Sequence, residues 1–320
     1  MAILIIGGAG YIGSHAVRYF SDKGRDVVVV DSLSTGHREA VDVPFYQLDI
    51  RDEKALEEVF LSHDIDGVIH FAANSLVGVS MVEPYEYYHN NVYGMMCLLN
   101  VMRRQGVKNL VFSSTAATYG EPIRELILED DPTEPTNPYG ETKLAMEKMM
   151  KWFARAYNMK YISLRYFNAA GAQPDGSLGE MHNPETHLIP LVLQVPAGQR
   201  DKISIFGDDY PTADGTCIRD YIHVCDLASA HLLALEYLEK GGESDVFNLG
   251  NGKGYSVKEV IETARKVTGH PIPAVVEARR PGDPAILVAS SDKAKRELGW
   301  KPEHENLEEI ISDAWRFYNK

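Results

Sequence analysis

The feature that most constrains this chain lies in its first thirteen residues. Five mainly apolar positions, Ala2–Ile6, run directly into Gly7-Gly8-Ala9-Gly10-Tyr11-Ile12-Gly13. A short apolar run, clustered glycines and then an amphipathic stretch describe a strand, a tight turn and the start of a helix. Read from Gly8 the loop fits G-x-G-x-x-G, and read from Gly7 it fits G-x-x-G-x-x-G. Without side chains the backbone turns tightly and approaches a pyrophosphate at the positive end of the helix. A glycine string alone describes a flexible loop equally well. Here a strand precedes it, a helix follows it, and Asp31 closes the next apolar run. A carboxylate about 20 residues on accepts hydrogen bonds from an adenosine ribose and repels a 2′-phosphate, so NAD is predicted over NADP. Gly7, Gly10, Tyr11, Ile12, Gly13 and Asp31 are the contacts this element supplies.

The first half continues in the same alternation. Val27–Val30, Val68–Phe71, Leu110–Phe112 and Tyr161–Leu164 read as buried strands, and Tyr11–Ser21, Glu53–Leu61, Tyr85–Arg104 and Thr142–Tyr157 as the helices between them. Repeated βα units with continuously apolar strands predict an α/β fold, a Rossmann-type doubly wound parallel sheet covered on both faces. Ligands in such sheets sit beyond the carboxyl ends of the strands. After Asn168 the texture changes. Ala169–Gly179 and Phe206–Gly215 are rich in Gly and Pro, Ser256 and Glu259 form a capping box, and Pro271–Val276 reads as a strand. Residues 1–168 are therefore predicted as the nucleotide-binding domain and 169–320 as a smaller mixed α/β substrate domain, with 221–250 returning to the first.

Tyr139 and Lys143 stand four apart at the start of a predicted helix, which puts them on one face. A free tyrosine titrates near pH ~10 and is a poor base at neutrality. A nearby ammonium and the positive nicotinamide ring both favour phenolate, so Lys143 together with the cofactor is expected to bring that value down. Tyr139 then takes a proton from a sugar hydroxyl while hydride leaves the same carbon. Such a pair on a helix is also common by chance. Phe112-Ser113-Ser114-Thr115 closes a strand at the sheet edge where substrates sit, which puts Thr115 in place to orient that proton; taken alone, hydroxyl residues there are more often turn or cap residues. The order of glycine loop, Asp31, Thr115 and the Tyr/Lys pair favours the catalytic reading.

At this point the sequence resembles the extended branch of the short-chain dehydrogenase/reductase superfamily and, over essentially its whole length, the UDP-galactose 4-epimerases. The blocks that carry this are Gly7–Gly13, His70-Phe71-Ala72-Ala73, Tyr87-Tyr88-His89-Asn90-Asn91-Val92, Ser113–Gly120, Tyr139–Lys143, Arg165-Tyr166-Phe167-Asn168, Ile205-Phe206-Gly207-Asp208-Asp209-Tyr210, Asp214–His223 and Arg279-Arg280-Pro281-Gly282-Asp283. The resemblance implies that Asp49 and Ile50 bracket the adenine, that Phe71 and Ala72 line the cofactor, and that Ala73, Asn91, Ser113 and Tyr166 add to its site. It implies Thr115, Tyr139 and Lys143 as the catalytic group, with Lys143 also holding the nicotinamide ribose. On the substrate side it implies Asn168, Arg219 and Arg280 at a diphosphate and Leu188 along the nucleotide. Ser204, Ile205 and Phe206 would read uracil through their backbone, Asp283 would meet the uridine ribose, and His187 and Tyr221 would be further contacts. Two arginines in an acidic chain independently suit a diphosphate, since each guanidinium can fork onto phosphate oxygens. This sequence departs from many members in carrying Thr115 for serine, Ser75 for a lysine and His187 for an asparagine.

The implied reaction keeps NAD tightly bound and is redox-neutral: C4 of a UDP-hexose is oxidised, the 4-keto sugar turns, and hydride returns to its other face. A 4,6-dehydratase on the same scaffold needs an Asp-Glu pair after the threonine, where this chain has Ala116 and Ala117. A simple dehydrogenase and a non-catalytic NAD-binding protein are the other readings. Leu287, aligned without a gap from Arg280, falls at a pocket-wall position where intermediate size implies use of both UDP-Glc and UDP-GlcNAc. A homodimer through the helices read at Tyr85–Arg104 and Thr142–Tyr157 is implied. A net charge of −14 argues against a nucleic-acid partner. Cys97, Cys217 and Cys225 lack zinc-site or disulfide spacing, and no metal is expected. Absence of a roughly 20-residue apolar span, and an N-terminal apolar run too short for a signal core, give a cytoplasmic protein without membrane contact as the expectation.

Overall fold

A computed structural model of the chain describes residues 1–280 and 283–320; Pro281 and Gly282 lie outside the described residues. Seven strands form one sheet: β1 (Ala2–Ile6), β2 (Asp26–Asp31), β3 (Phe45–Gln47), β4 (Ile65–His70), β5 (Asn109–Ser113), β6 (Lys160–Tyr166) and β7 (Asp245–Leu249). Their order is β7-β6-β5-β4-β1-β2-β3 and every pairing is parallel. The chain winds outward in both directions from β1, so a crevice opens between β1 and β4 at their carboxyl ends.

Alternation within the apolar runs explains why both faces are covered. Ile3, Ile5, Val27 and Val29 enter one core, with helices Tyr11–Asp22 and Val224–Glu239 packed on that side. Leu4, Ile6, Val28 and Val30 enter the other, against Glu53–Ser62, Gly94–Gln105 and Pro138–Tyr157. Each such side chain, essentially removed from water, contributes roughly 1.5–3 kcal/mol. A third apolar cluster, built from Ile189, Val192, Val260, Ile310 and neighbours, lies under the later helices.

Local chemistry sets the helix starts. Asn137 accepts a hydrogen bond from Gly140 N at 2.9 Å and Pro138 occupies the first turn, so this helix begins four residues before the expected Thr142. Ser256 and Glu259 form the capping box expected of them. The predicted helix Tyr85–Arg104 is divided into Pro84–Tyr87, a π-helical turn Tyr88–Tyr93 and Gly94–Gln105. The strand read at Pro271–Val276 forms at Ala274–Glu277 and pairs in parallel with Ile203–Phe206. Asn168–Ala170 pairs with Tyr221–His223, and Ile218–Arg219 lies between Tyr255–Ser256 and Ile286–Leu287. Asn168, Ala169, Arg219 and Leu287, from the last two of these small sheets, border the crevice.

Candidate active site

The glycine loop is fixed by close approach. Gly7 has φ +80°, and a Cβ there would sit 2.6 Å from Ala72 N; at Gly13 it would lie 2.1 Å from Gly7 O. Any side chain at either position would push the loop off β4 or the helix off the loop. Gly10 precedes helix Tyr11–Asp22, whose first turn receives no side-chain cap and no acidic residue. Its leading N–H groups therefore suit an anion. Asp31 accepts from Ala9 N at 2.9 Å and from Leu33 N at 2.8 Å, which fixes its carboxylate on the crevice wall.

The crevice has a volume of about 1090 Å³ and is continuous from this loop to the small sheets. That lies at the upper end for one ligand and leaves room for a dinucleotide beside a second molecule. Gly7, Gly10, Tyr11, Ile12, Gly13, Asp31, Asp49, Ile50, Phe71, Ala72, Ala73, Ser113 and Tyr166 line it, as do Thr115, Tyr139, Lys143, Asn168, His187, Arg219, Arg280, Asp283 and Leu287. An uncapped helix start, an anchored acidic residue and an elongated crevice fit NAD.

Six expected contacts sit elsewhere. Asn91 is buried behind the wall, where its amide bonds Asn74 N and O and Thr142 Oγ1 at 2.8, 3.1 and 3.0 Å. Its polar atoms brace the wall rather than face into the crevice. Leu188 starts a helix and, like Ile205 and Tyr221, packs into the third apolar cluster. Ser204 Oγ donates to Glu277 at 2.7 Å, and the Phe206 ring carries the Arg280 guanidinium at 4.0 Å. A backbone contact along Ser204–Phe206 is untouched by these side-chain placements.

At the reacting end, helix Pro138–Tyr157 places Tyr139, Lys143 and Glu147 four residues apart along one face. Lys143 is 2% exposed, donates to Ser113 O at 2.7 Å, and lies 4.8 Å from the Phe112 ring centroid and 6.0 Å from that of Tyr139. Thr115 accepts from Ala117 N at 3.1 Å and so caps the turn after β5 while facing the crevice. Glu147, which sequence reasoning passed over, accepts from Ser114 Oγ at 2.5 Å and from Arg165 Nε and Nη2 at 3.0 and 2.5 Å, entirely within the protein. Ser113 Oγ in turn bonds the Tyr166 hydroxyl. The only signal for Glu147 was its spacing from Lys143.

The electrostatics separate the two positive groups expected to act on Tyr139. Burial pushes the Tyr139 phenol up to about 12, with a hydrogen bond to Thr115 pulling the other way. Burial likewise pushes Lys143 down to about 7, against the charge of Glu147. The ammonium does not lower the phenol by itself, because the apolar wall penalises both charges. A positive group in the crevice is what would favour phenolate. At the other end Arg219 forms an ion pair with Asp283 and donates to Ile218 O at 2.8 Å. His187 Nδ1 lies 2.5 Å from buried Glu180 and 3.5 Å from Glu185. Although burial lowers it, the hydrogen bonds and charges of those two carboxylates raise His187 to about 10.

Comparison with known proteins agrees with this geometry. A UDP-glucose 4-epimerase of Halalkalibacterium halodurans is 61% identical over 100% of this chain and 96% of its own length. A crystal structure of a UDP-glucose 4-epimerase superposes with a TM-score of 0.98 at 60% identity, covering 100% of this chain and 98% of that one. The Brucella ovis UDP-glucose 4-epimerase in complex with NAD gives 0.97 at 46% identity, with 99% and 98% covered. The glycine loop, Asp31 and the Thr/Tyr/Lys group all fall within residues 3–250, which match one family model, and the chain belongs to the NAD dependent epimerase/dehydratase family.

Proposed function

We propose that the chain interconverts UDP-galactose and UDP-glucose at C4, with Thr115, Tyr139 and Lys143 as its catalytic group. The observation that carries this is one crevice that joins the uncapped helix start and Asp31 to that group, and the group to Arg219, Arg280 and Asp283. The glycine loop, Asp31, Asp49, Ile50 and Phe71 hold NAD. When bound, NAD supplies the carbon that takes hydride from C4 and returns it. Tyr139 accepts the 4-hydroxyl proton and gives it back, Thr115 orients that hydroxyl, and Lys143, fixed on Ser113 O, holds the geometry. Arg219 and Arg280 grip the diphosphate and Asp283 the uridine ribose. Ala116 and Ala117 line the crevice where a dehydratase needs proton-moving side chains, so these two positions supply no acid/base pair for C5–C6 elimination.

Residues 1–168 with 221–250 form the cofactor half and the remainder the substrate half, a division supported by the entry of Asp245–Leu249 into the large sheet and by the separate third cluster. The protein pairs as a homodimer through helices Gly94–Gln105 and Pro138–Tyr157: Tyr85 is 69% and Trp152 63% exposed, with Tyr88, Met96 and Tyr157 also uncovered near these helices. Leu287 lines the wall, and its intermediate size supports use of N-acetylated sugars as well.

The test is incubation of the purified protein with UDP-galactose and no added NAD, followed by detection of UDP-glucose. Tyr139→Phe lowers kcat about 10²–10⁴-fold, the usual share of a positioned acid/base, and leaves UDP affinity within a few-fold. Near-parental turnover in that variant removes Tyr139 from the mechanism.

A further inference from the structure

Four side chains at and just behind the crevice wall have no part in the reaction as proposed. In the segment Glu180–His187, one donor atom each from Glu180, His182, Glu185 and His187 lie within 4.8 Å of one another. Both imidazoles turn their Nδ1 atoms to the same oxygen, Glu180 Oε1, at 2.8 Å for His182 and 2.5 Å for His187. The carboxylates are withdrawn from water, 4% exposed at Glu180 and 5% at Glu185. Glu185 Oε1 accepts the backbone N–H groups of Thr186 and His187, but its Oε2 is buried with no partner. A buried carboxylate oxygen left unpaired costs free energy that a ligand can recover.

We propose that Glu180, His182, Glu185 and His187 form a binding site for a divalent transition-metal cation, for which Zn²⁺ is the best-matched ion. Two imidazole nitrogens and two carboxylate oxygens make a mixed set of the kind zinc accepts, the ion displacing the proton that His187 holds against Glu180, whereas Ca²⁺ and Mg²⁺ prefer oxygen alone. Four ligands about 2.1 Å from a tetrahedral zinc stand about 3.4 Å apart. The present separations of 2.5, 2.8 and 3.5 Å, within a 4.8 Å limit, differ from that by about an ångström. Side-chain rotation covers such a difference without moving the backbone. The two carboxylates also match the charge of the ion.

Position gives the site its consequence. His182, Glu185 and His187 line the crevice, and the His182 ring stands edge-on to Tyr11, 6.2 Å away, at the helix start assigned to the cofactor. Tyr318 donates to Glu180 O at 3.2 Å, and His37 Nε2 lies 3.1 Å from Met181 O. A bound cation therefore pins the stretch of wall that spans the glycine loop and the terminal helix. The other cluster of this kind among the described residues, His223, His304 and Asp313, offers three groups. With its imidazole Nδ1 atoms engaged by Cys225 N and Glu309, it meets an ion through Nε2 atoms and a single carboxylate, one group short of a closed four-ligand set.

The full-length protein with its NAD is treated with EDTA, dialysed and titrated with ZnCl₂, with metal content measured by mass spectrometry and affinity by calorimetry. One Zn²⁺ per chain is expected, with a rise in Tm, and Co²⁺ in its place should show a visible ligand-field band. His182→Gln, at a side chain 27% exposed, keeps the fold by circular dichroism and retains NAD. It weakens zinc binding at least about 100-fold, beyond the 10–100-fold typical of outer-shell partners, and abolishes the Tm rise. Glu185→Gln is the second variant; His304→Ala binds zinc like the parent. Substoichiometric binding, binding unchanged in His182→Gln, or binding lost instead in His304→Ala overturns the assignment.

Discussion

Lys143 is held in the fold at a cost, and the cost can be measured. Its value drops from 10.5 to about 7 because burial penalises the ammonium. In the unfolded chain the amine is protonated below about 10.4, while in the folded chain it stays neutral until about 7. Between those limits the unfolded state binds more protons, so stability rises with pH across the window, and the penalty is complete below about 7. At about 1.4 kcal/mol per pH unit, the full penalty comes to about 5 kcal/mol. Lys143→Met removes it and gives up one hydrogen bond to Ser113 O, worth about 1 kcal/mol. Partial hydration of the buried amine reduces the remainder to about 2–4 kcal/mol. The variant, freed of NAD, is therefore expected to melt several degrees above the parent at pH 7, at roughly 2 °C per kcal/mol. The advantage shrinks as pH rises, vanishes between about pH 9 and 10, where the remaining penalty equals the lost hydrogen bond, and reverses slightly above that. Every other titrating group is common to both proteins, so the difference in Tm across pH 6–10 isolates this one. Turnover falls about 100-fold or more, which sets stability against activity at one residue. A variant equal to or less stable than its parent at pH 7, or a Tm difference independent of pH, would refute the reasoning.

Glu147→Leu leaves Arg165 buried without its carboxylate and should lower stability by about 3–5 kcal/mol, read by denaturant unfolding. Leu287→Tyr narrows the wall beside Asp283 and should depress turnover of UDP-GlcNAc at least about tenfold more than that of UDP-Glc; equal loss on both argues against a gate. Trp152→Glu puts a charge on the exposed apolar face and should shift sedimentation from dimer to monomer; an unchanged sedimentation coefficient removes this face from the interface.

What the sequence revealed depended on how locally each feature is encoded. β1, β2 and the glycine loop were legible because a continuous apolar run and a steric demand for glycine are both properties of neighbouring residues. β3 was missed because it has three residues, partly buried, on the sheet edge. β7 was missed because Asp245 and Asn248 interrupt its apolar pattern; Asn248 is satisfied by Tyr119 at 2.7 Å and Asp245 by Lys293 at 2.6 Å, partners far along the chain. The same reason hid Glu147, which reads as a solvated helix carboxylate until Arg165 arrives from β6. Asn91 shows the converse. It stands in a recognisable block, yet the π-helical turn that carries it sends its amide to Asn74 and Thr142. The Glu180–His187 cluster escaped because metal spacing was sought among cysteines, and a Gly/Pro-rich neighbourhood reads as loop.

The two ends of the crevice differ in a way the reaction requires. At the reacting end the polar groups are tied to one another out of water: Lys143 to Ser113 O, Ser113 to Tyr166, Ser114 and Arg165 to Glu147. Beyond Thr115 and Tyr139, the crevice at this end is lined by Ala116, Ala117 and Leu287, whose side chains offer no hydrogen bond, beside the polar Thr136 and Asn137. At the nucleotide end Arg219 and Asp283 form a partly exposed pair, and Arg280 lies over an aromatic ring. On the proposed assignment these charges exchange one another for phosphate and ribose, so that the Arg219 guanidinium keeps a charged partner throughout. A substrate held there by its diphosphate, on the same assignment, keeps a hexose free to turn beside a wall that is partly apolar. Inversion at C4 follows from that inequality of grip as much as from the phenol that moves the proton.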